Sequence, residues 1–216
     1  MDKNVLVVGA GRFGRYTMET LHKLGHEILA VDLNEEKLSK VLPFVESAEI
    51  GDCTDEEFLQ SLGVDEFDLC IVAIGDNFMA SLETASLLKD MGAQRVVARA
   101  TSELQERLLF RCGADDVVFP ERQLGKWTAI RYSADNILDY IELADGYTII
   151  EVEVPREWAG KRIGDLNIRR QYDANILGVT ERGRMNMSLT ADTVLGSGEK
   201  CLVLGPSDKL RKLFKL

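Results

Sequence analysis

Val5-Leu6-Val7-Val8 is an unbroken apolar run, the pattern of a strand buried on both faces. A glycine-rich turn follows, then a helical stretch to Leu24-Gly25. In that stretch Phe13, Thr17, Leu21 and Leu24 recur at helical spacing, on the face that would meet a sheet. Ile28 to Asp32 is a second strand. Asn34 is placed to cap a helix through Leu42, which Pro43 would end. Ser47 to Ile50 predicts a short strand, and Asp55 to Leu62 a short helix with Thr54 as its cap. Asp68 to Ile74 is the most apolar strand. Helices over Asn77–Met91 and Glu103–Arg111 alternate with strands over Arg95–Arg99 and Asp116–Phe119. Strands that alternate with helices predict an α/β chain with a doubly wound parallel sheet. Right-handed crossovers then favour the order 3-2-1-4-5-6.

The pattern changes after Pro120. From Glu121 to about Leu143 the sequence predicts one long helix. Trp127, Ile130, Ala134, Ile137 and Ile141 step alternately by three and four, like the seam of a coiled coil. Such a stripe either packs on its own domain or is buried against another copy of the chain, the reading favoured here. Asp145-Gly146 breaks it. Beyond, Ile150, Val152 and Val154 alternate with Glu151 and Glu153, and Asn175 to Thr180 and Cys201 to Leu204 read as further strands. Arg182-Gly183-Arg184 is a turn into Met185-Asn186-Met187. Pro206 opens a last helix bearing Leu210, Leu213 and Phe214. The expected organisation is an α/β domain over 1–120, a long crossover helix over 121–144 on which two copies would pair, and a small α+β domain over 145–216, the last boundary falling near residues 142–146.

Charge and composition narrow the function. The chain has 216 residues and a formal net charge of −10. That balance argues against a nucleic-acid binder, which needs clustered positive charge to displace counterions. No apolar run has the length of a membrane span. The first residues pass straight into a strand, leaving no room for a signal peptide, so the expected location is cytoplasmic. Cys53, Cys70, Cys112 and Cys201 form no CxxC pair. With only His22 and His26 beside them, they read as buried thiols rather than zinc ligands.

The candidate chemistry lies in Gly9-Ala10-Gly11-Arg12-Phe13-Gly14. This GxGxxG sits between a buried strand and a helix, with Asp32 ending the next strand, as in a Rossmann-like fold. Gly9 permits the tight turn, Gly11 lets backbone approach a pyrophosphate, and Gly14 lets helix and strand pack closely. Asp32 would accept ribose hydroxyls and repel a 2′-phosphate, which disfavours NADP. Asp52 and Asp76 follow the ends of the third and fourth strands on the same rim. Each is equally readable as a loop carboxylate. Arg99 ends the fifth strand and would reach a phosphate, or else form a surface ion pair. Arg12 opposes the helix dipole, which makes sense if polyphosphate sits there or if it reaches a neighbouring subunit's phosphates. His22 and His26 lie away from the ligand rim, and no Tyr-x-x-x-Lys pair is present. A nucleotide site without machinery to use the nucleotide points to sensing. The alternative is an NAD-dependent oxidoreductase.

Val-Val-Gly-Ala-Gly-Arg-Phe-Gly, Gly-His-Glu-Ile-Leu-Ala-Val-Asp and Ile-Val-Ala-Ile-Gly-Asp-Asn together resemble the KTN/RCK domain, the regulator of potassium conductance. The C-terminal part resembles the RCK-C, or TrkA-C, domain, and the two-part layout is similar to the cytoplasmic subunits of Ktr-type and Trk-type bacterial potassium uptake systems. Cys53, between Asp52 and Thr54, departs from the pattern at a variable position. The resemblance implies a non-catalytic gating subunit that binds ATP, ADP or NAD(H). It implies a homodimer that assembles into an octameric ring beneath an integral-membrane potassium translocating subunit, at the inner face of the cell membrane. Carried onto this chain, it places Gly9, Gly11, Phe13, Gly14, Asp32, Asp52, Cys53, Ala73, Ile74 and Arg99 at the nucleotide. Arg12 would contact the terminal phosphate of ATP held by the partner subunit. Glu121 matches a position where a cation (Mg, Ca or Na) sits between subunits; from the residues alone it is also readable as a carboxylate at a helix N-terminus. In some relatives the C-terminal domain binds cyclic di-AMP, and Ile168-Arg169-Arg170 through Asn175-Ile176-Leu177 resembles that site.

Overall fold

The structure, a computed structural model, describes residues 2–133 and 137–214. The chain divides into two compact units, Met1–Arg122 and Gln123–Leu216.

The first unit alternates strand and helix throughout. Its elements are β1 (Asn4–Val8), α1 (Arg12–Lys23), β2 (Glu27–Asp32), α2 (Glu35–Ser39), β3 (Ser47–Ile50), α3 (Glu56–Ser61), β4 (Leu69–Val72), α4 (Phe78–Asp90), β5 (Val96–Arg99), α5 (Glu103–Arg111) and β6 (Asp116–Val118). All described pairings in this sheet are parallel, in the order β3-β2-β1-β4-β5-β6. The doubly wound order expected from the sequence is therefore the observed one. Its strands are apolar because both faces are covered. Val5 and Val7 pack with Met18, Ile28 and Leu38 on one face. Leu6 and Val8 pack with Leu59, Leu88 and Leu109 on the other. The order reverses between β1 and β4, and a crevice opens there at the strands' carboxyl ends.

Local chemistry sets the helix starts. Asn34 caps α2 by accepting the Lys37 N–H, and Asn77 caps α4 by accepting that of Ala80. Three expectations need correction. The cap of α3 is Asp55, whose carboxylate accepts from Glu57 and Phe58, while Thr54 is engaged with Asp52. Helix α2 stops at Ser39, before Pro43, which lies within a short 3-10 turn over Leu42–Phe44. Leu24 is exposed, and Met18 takes the buried place on α1.

Helix α6 (Pro120–Arg131) is shorter than the sequence suggested. The helix expected through Leu143 ends at Arg131, and Ile137–Glu142 is strand β7. Ala134, a member of the expected seam, lies outside the described residues. Ile137 is fully buried and Tyr140 packs on the second core, so these side chains belong to a sheet. A register shift between Ile137 and Asp139 breaks the two-residue alternation that would have marked the strand. The Trp127 indole N–H donates to Asp139 at 2.9 Å. The second unit starts at Gln123, within α6.

The second unit is an antiparallel sheet in the order β10-β9-β11-β8-β7. Its further strands are β8 (Tyr147–Glu153), β9 (Asn175–Glu181), β10 (Arg184–Asn186) and β11 (Lys200–Pro206). Helices α7 (Ile168–Tyr172) and α8 (Ser207–Phe214) accompany it. Arg182 and Gly183, both at positive φ, make the tight turn between β9 and β10. Trp158 packs edge-on to Phe214 in the core, with Leu195 and Leu210 fully buried.

Candidate functional site

The crevice holds a cavity of about 670 Å³. That is the size class of sites for small organic ligands. The glycine turn forms its floor. Gly9 has φ +104°, and a Cβ there would sit 3.1 Å from the Ala73 carbonyl carbon. Its N–H donates to the Val31 carbonyl at 2.7 Å, tying the turn to β2. At Gly14 a Cβ would sit 1.9 Å from the Gly9 carbonyl oxygen, so only glycine lets α1 come so close. Gly11 differs: a Cβ there would meet nothing within 4 Å. The space beside Gly11 is open toward the cavity that it lines. No side chain caps Gly11, so first-turn N–H groups of α1 are available to an anion.

Asp32 stands opposite. One carboxylate oxygen accepts the Ala10 N–H at 2.7 Å and the other accepts the Asn34 N–H at 2.8 Å. A carboxylate has about four acceptor positions, so each oxygen keeps capacity for a ligand hydroxyl. The side chain is 9% exposed and already oriented. The Lys37 ammonium stands 3.9 Å from Asp32 and 3.8 Å from Asp76. Asp52 accepts the Thr54 N–H and hydroxyl, which hold its carboxyl below the usual carboxylate range. The Cys53 carbonyl accepts the Thr84 hydroxyl. Burial, with the charges of Asp52 and Asp32, pushes the Cys53 thiol up to about 12. This thiol is packing, not a nucleophile.

Arg99 reaches the cavity from the end of β5. Its Nη2 donates to Glu121 at 2.6 Å, and its guanidinium lies 5.6 Å from the centre of the Phe13 ring. Gly75 makes room for it, since a Cβ there would sit 2.4 Å from Arg99 Nη1. Arg99 Nε is buried without a partner. Glu121 is held below its usual range by its own backbone N–H, by the Arg99 bond, and by the charges of Arg99 and Arg12. Arg12 itself is exposed at the cavity mouth.

Of the residues expected from the sequence, Gly9, Gly11, Arg12, Asp32, Asp52, Cys53, Ala73, Ile74 and Arg99 line this cavity. Phe13 and Gly14 do not. Phe13 packs on the sheet core beneath Arg99, and Gly14 is spent on contact with Gly9. Glu121 meets the cavity only through Arg99. Among the described residues no group of three His, Cys, Asp or Glu side chains could hold a metal ion. Lys37 was not anticipated. It stands five residues after Asp32 in the first turns of α2, and that spacing was its one available signal. Open space at Gly11, free first-turn N–H groups and the oriented Asp32 suit a phosphate joined to a ribose.

A TrkA-N domain model matches residues 5–120, and a TrkA-C domain model matches residues 147–216. This chain belongs to the TrkA family. Among TrkA-family relatives, Ktr system potassium uptake protein A of Bacillus subtilis (strain 168) is 35% identical over 211 residues, covering 98% of this chain and 95% of the relative. Ktr system potassium uptake protein C of the same organism is 35% identical over 215 residues, covering 100% and 97%. Among solved structures, the GsuK RCK domain superposes with TM-score 0.68 at 23% identity, covering all of this chain and 48% of that one. The GsuK channel bound to NAD gives TM-score 0.69 at 22% identity, covering 99% of this chain and 39% of that one. This TrkA-family chain thus spans less than half of those structures, and the likeness shows the shared RCK fold.

Proposed function

We propose that this protein, a regulatory subunit of a potassium uptake system, senses an adenine nucleotide in the crevice of its first unit. The single observation that carries the proposal is the pairing of an open, uncapped glycine turn with Asp32, bonded to the same turn. Phosphates would face the α1 N-terminus while Asp32 receives the ribose hydroxyls. Arg99 supplies positive charge at the phosphate end. ATP, ADP and NAD(H) all present these groups, and Asp32 disfavours the 2′-phosphate of NADP.

A sensing role is supported by what lines the cavity. Its titratable side chains, among the described residues, are Arg12, Asp32, Lys37, Asp52, Cys53, Asp76 and Arg99. None is a histidine or tyrosine suited to pass a proton near neutral pH, and the thiol stays protonated. The oxidoreductase reading predicts steady oxidation or reduction of the cofactor with some small alcohol, aldehyde or hydroxy acid. We expect no turnover.

The nucleotide shifts a conformational equilibrium only by its differential affinity for two states. Arg12 supplies that difference if it grips the third phosphate of ATP held in a partner subunit. Helix α6 supports a dimer: Leu124 is exposed, and no described α6 residue is buried within this chain. A homodimer building an octameric ring under an integral-membrane potassium translocating subunit would carry the change to the channel. No helix among the described residues is long and apolar enough to cross a membrane. A cytoplasmic place on the membrane's inner face, reached through that partner, follows from this reading. A cation at Glu121 between subunits, and cyclic di-AMP near Arg169, Arg170 and Asn175, are further parts of it. The deciding experiment is calorimetry on ligand-stripped protein with ATP, ADP, NADH and NADPH. Micromolar binding of at least one of the first three, and weaker binding of NADPH than NADH, supports the proposal. No binding of any of them sinks it.

A further inference from the structure

Lys37 places a cation beside the carboxylate that would receive the ribose hydroxyls. Asp32 accepts the Asn34 N–H at 2.8 Å, and the Asn34 side chain accepts the Lys37 N–H at 3.1 Å. The backbone of Lys37 is thereby fixed relative to Asp32. Its ammonium lies 3.9 Å from Asp32 and 3.8 Å from Asp76. Both distances are too long for a hydrogen bond, so neither carboxylate takes up the ammonium's three donors. The Lys37 side chain is 40% exposed and lines the cavity. Asp76 is 81% exposed and stays solvated without it. Glu35 and Glu36, in the same first turn of α2, are exposed and do not line the cavity. Among the described charges of α2, only Lys37 borders the ligand space.

We infer that Lys37 sets how strongly the site rejects a phosphate on the adenosine ribose: Asp32 repels a 2′-phosphate, and Lys37 supplies a counter-charge that keeps the rejection partial. This rests on the nucleotide reading above and names a specificity-determining residue of the same site. A 2′-hydroxyl donates to Asp32 and makes no demand on Lys37. A fully ionised 2′-phosphate has no proton to give Asp32, and it brings about two negative charges within reach of the ammonium. A basic side chain near the end of the second strand is what accommodates a 2′-phosphate in dinucleotide sites of this fold. Lysine suits the task as a point charge on a flexible four-carbon stem, which turns from the two carboxylates to a phosphate without moving α2. Neutralising Asp32 should leave a site that accepts the 2′-phosphate. Neutralising Lys37 should leave one that excludes it.

The test is calorimetry at low salt with two ligand pairs, NADH with NADPH and ADP with its 2′-phosphate, read on whichever pair wild-type protein binds. The quantity is the ratio of Kd values, 2′-phosphate over 2′-hydroxyl. Lys37→Gln should raise this ratio roughly three- to ten-fold, the size of one charge-assisted contact at a partly exposed position. Asp32→Asn should lower it by at least as much, and Lys37→Gln in that background should cancel the gain. Lys40→Gln is the control. It removes a positive charge just past the end of α2, from the Lys40–Glu36 pair at 2.8 Å, outside the cavity. It should leave the ratio unchanged. A 2′-phosphate too weak to measure on wild type should bind Asp32→Asn and be lost again with Lys37→Gln. Three results would overturn the inference: an unchanged ratio in Lys37→Gln, an equal loss of both members of a pair, or an equal rise in Lys40→Gln. In each of these cases wild-type protein still binds nucleotide and the sensing proposal stands. If wild-type protein binds no adenine nucleotide, the sensing proposal fails and this inference falls with it. Should Asp32→Asn not fold, the comparison of Lys37→Gln with Lys40→Gln decides alone.

Discussion

The Asp32 carboxylate accepts the Ala10 N–H at 2.7 Å, so the acceptor at the end of β2 and the turn after β1 form one hydrogen-bonded unit. The same side chain also holds the Asn34 N–H ahead of α2. Asp32→Ala should therefore weaken nucleotide binding by about 1–3 kcal/mol, through lost ribose bonds and a turn left without its acceptor. Calorimetry checks this. Unchanged affinity would remove Asp32 from the site.

The two inner glycines should separate folding from binding. Gly14→Ala sets a methyl 1.9 Å from the Gly9 carbonyl oxygen and should destabilise the first unit by about 1–3 kcal/mol. Gly11→Ala meets nothing within 4 Å, at φ −66°, and should keep the melting temperature. Its methyl enters the space a phosphate needs, so nucleotide affinity should fall at least several-fold. Thermal denaturation and calorimetry of both variants test the division. A Gly11→Ala protein that binds normally would mean the phosphate does not approach there.

Arg12 is exposed at the start of α1, and no acidic residue accompanies it in the first turn. Arg12→Ala should leave ADP affinity nearly intact and reduce the preference for ATP. Equal loss of both nucleotides would make Arg12 an ordinary ligand of the diphosphate.

The buried thiols set an alkaline limit. Desolvation pushes Cys53, Cys70 and Cys201 up to about 12 in the folded chain, from 9.0 when solvated. Between pH 9 and 12 the unfolded chain has lost protons that the folded chain keeps. Stability is full below pH 9 and falls as pH rises toward 12. Urea denaturation across that range should show the decline, shallower in Cys70→Ser corrected for its own baseline loss. At pH 7.5 the half-buried Cys112 should react first with a thiol reagent, and the other three only on unfolding. Early reaction of Cys53 would contradict its assignment as packing.

Most of the first unit was legible because its signals are local and repeated. Val5–Val8, Asp32 and Asn34 specify a strand, an acceptor and a cap through neighbours close in sequence. The order of the sheet followed from the alternation itself. The misreadings arose where local signals tie. At residues 54–55 both Thr54 and Asp55 can cap a helix, and only the fold shows that Thr54 is held by Asp52. Around Ile137 the apolar spacing suits helix as well as strand, and the shifted register erased the alternation. In the site, Gly9 and Asp32 were readable from the motif and a strand end, while Ala73 came only with the resemblance to the RCK domain. Lys37 was not, because its position between Asp32 and Asp76 depends on how α2 lies over the crevice. The Arg99–Glu121 bond joins residues 22 positions apart and has no sequence signature.

Potassium flux into vesicles that carry the membrane translocating subunit, with this protein added, tests the central claim most directly. The pair to compare is wild type and Asp32→Ala, each with ATP, with ADP and with no nucleotide. The account predicts that flux through the wild-type complex depends on the nucleotide, and that Asp32→Ala assembles on the vesicles but loses that dependence. Wild-type flux that is the same in all three conditions, with the protein shown to be bound to the vesicles, would contradict it.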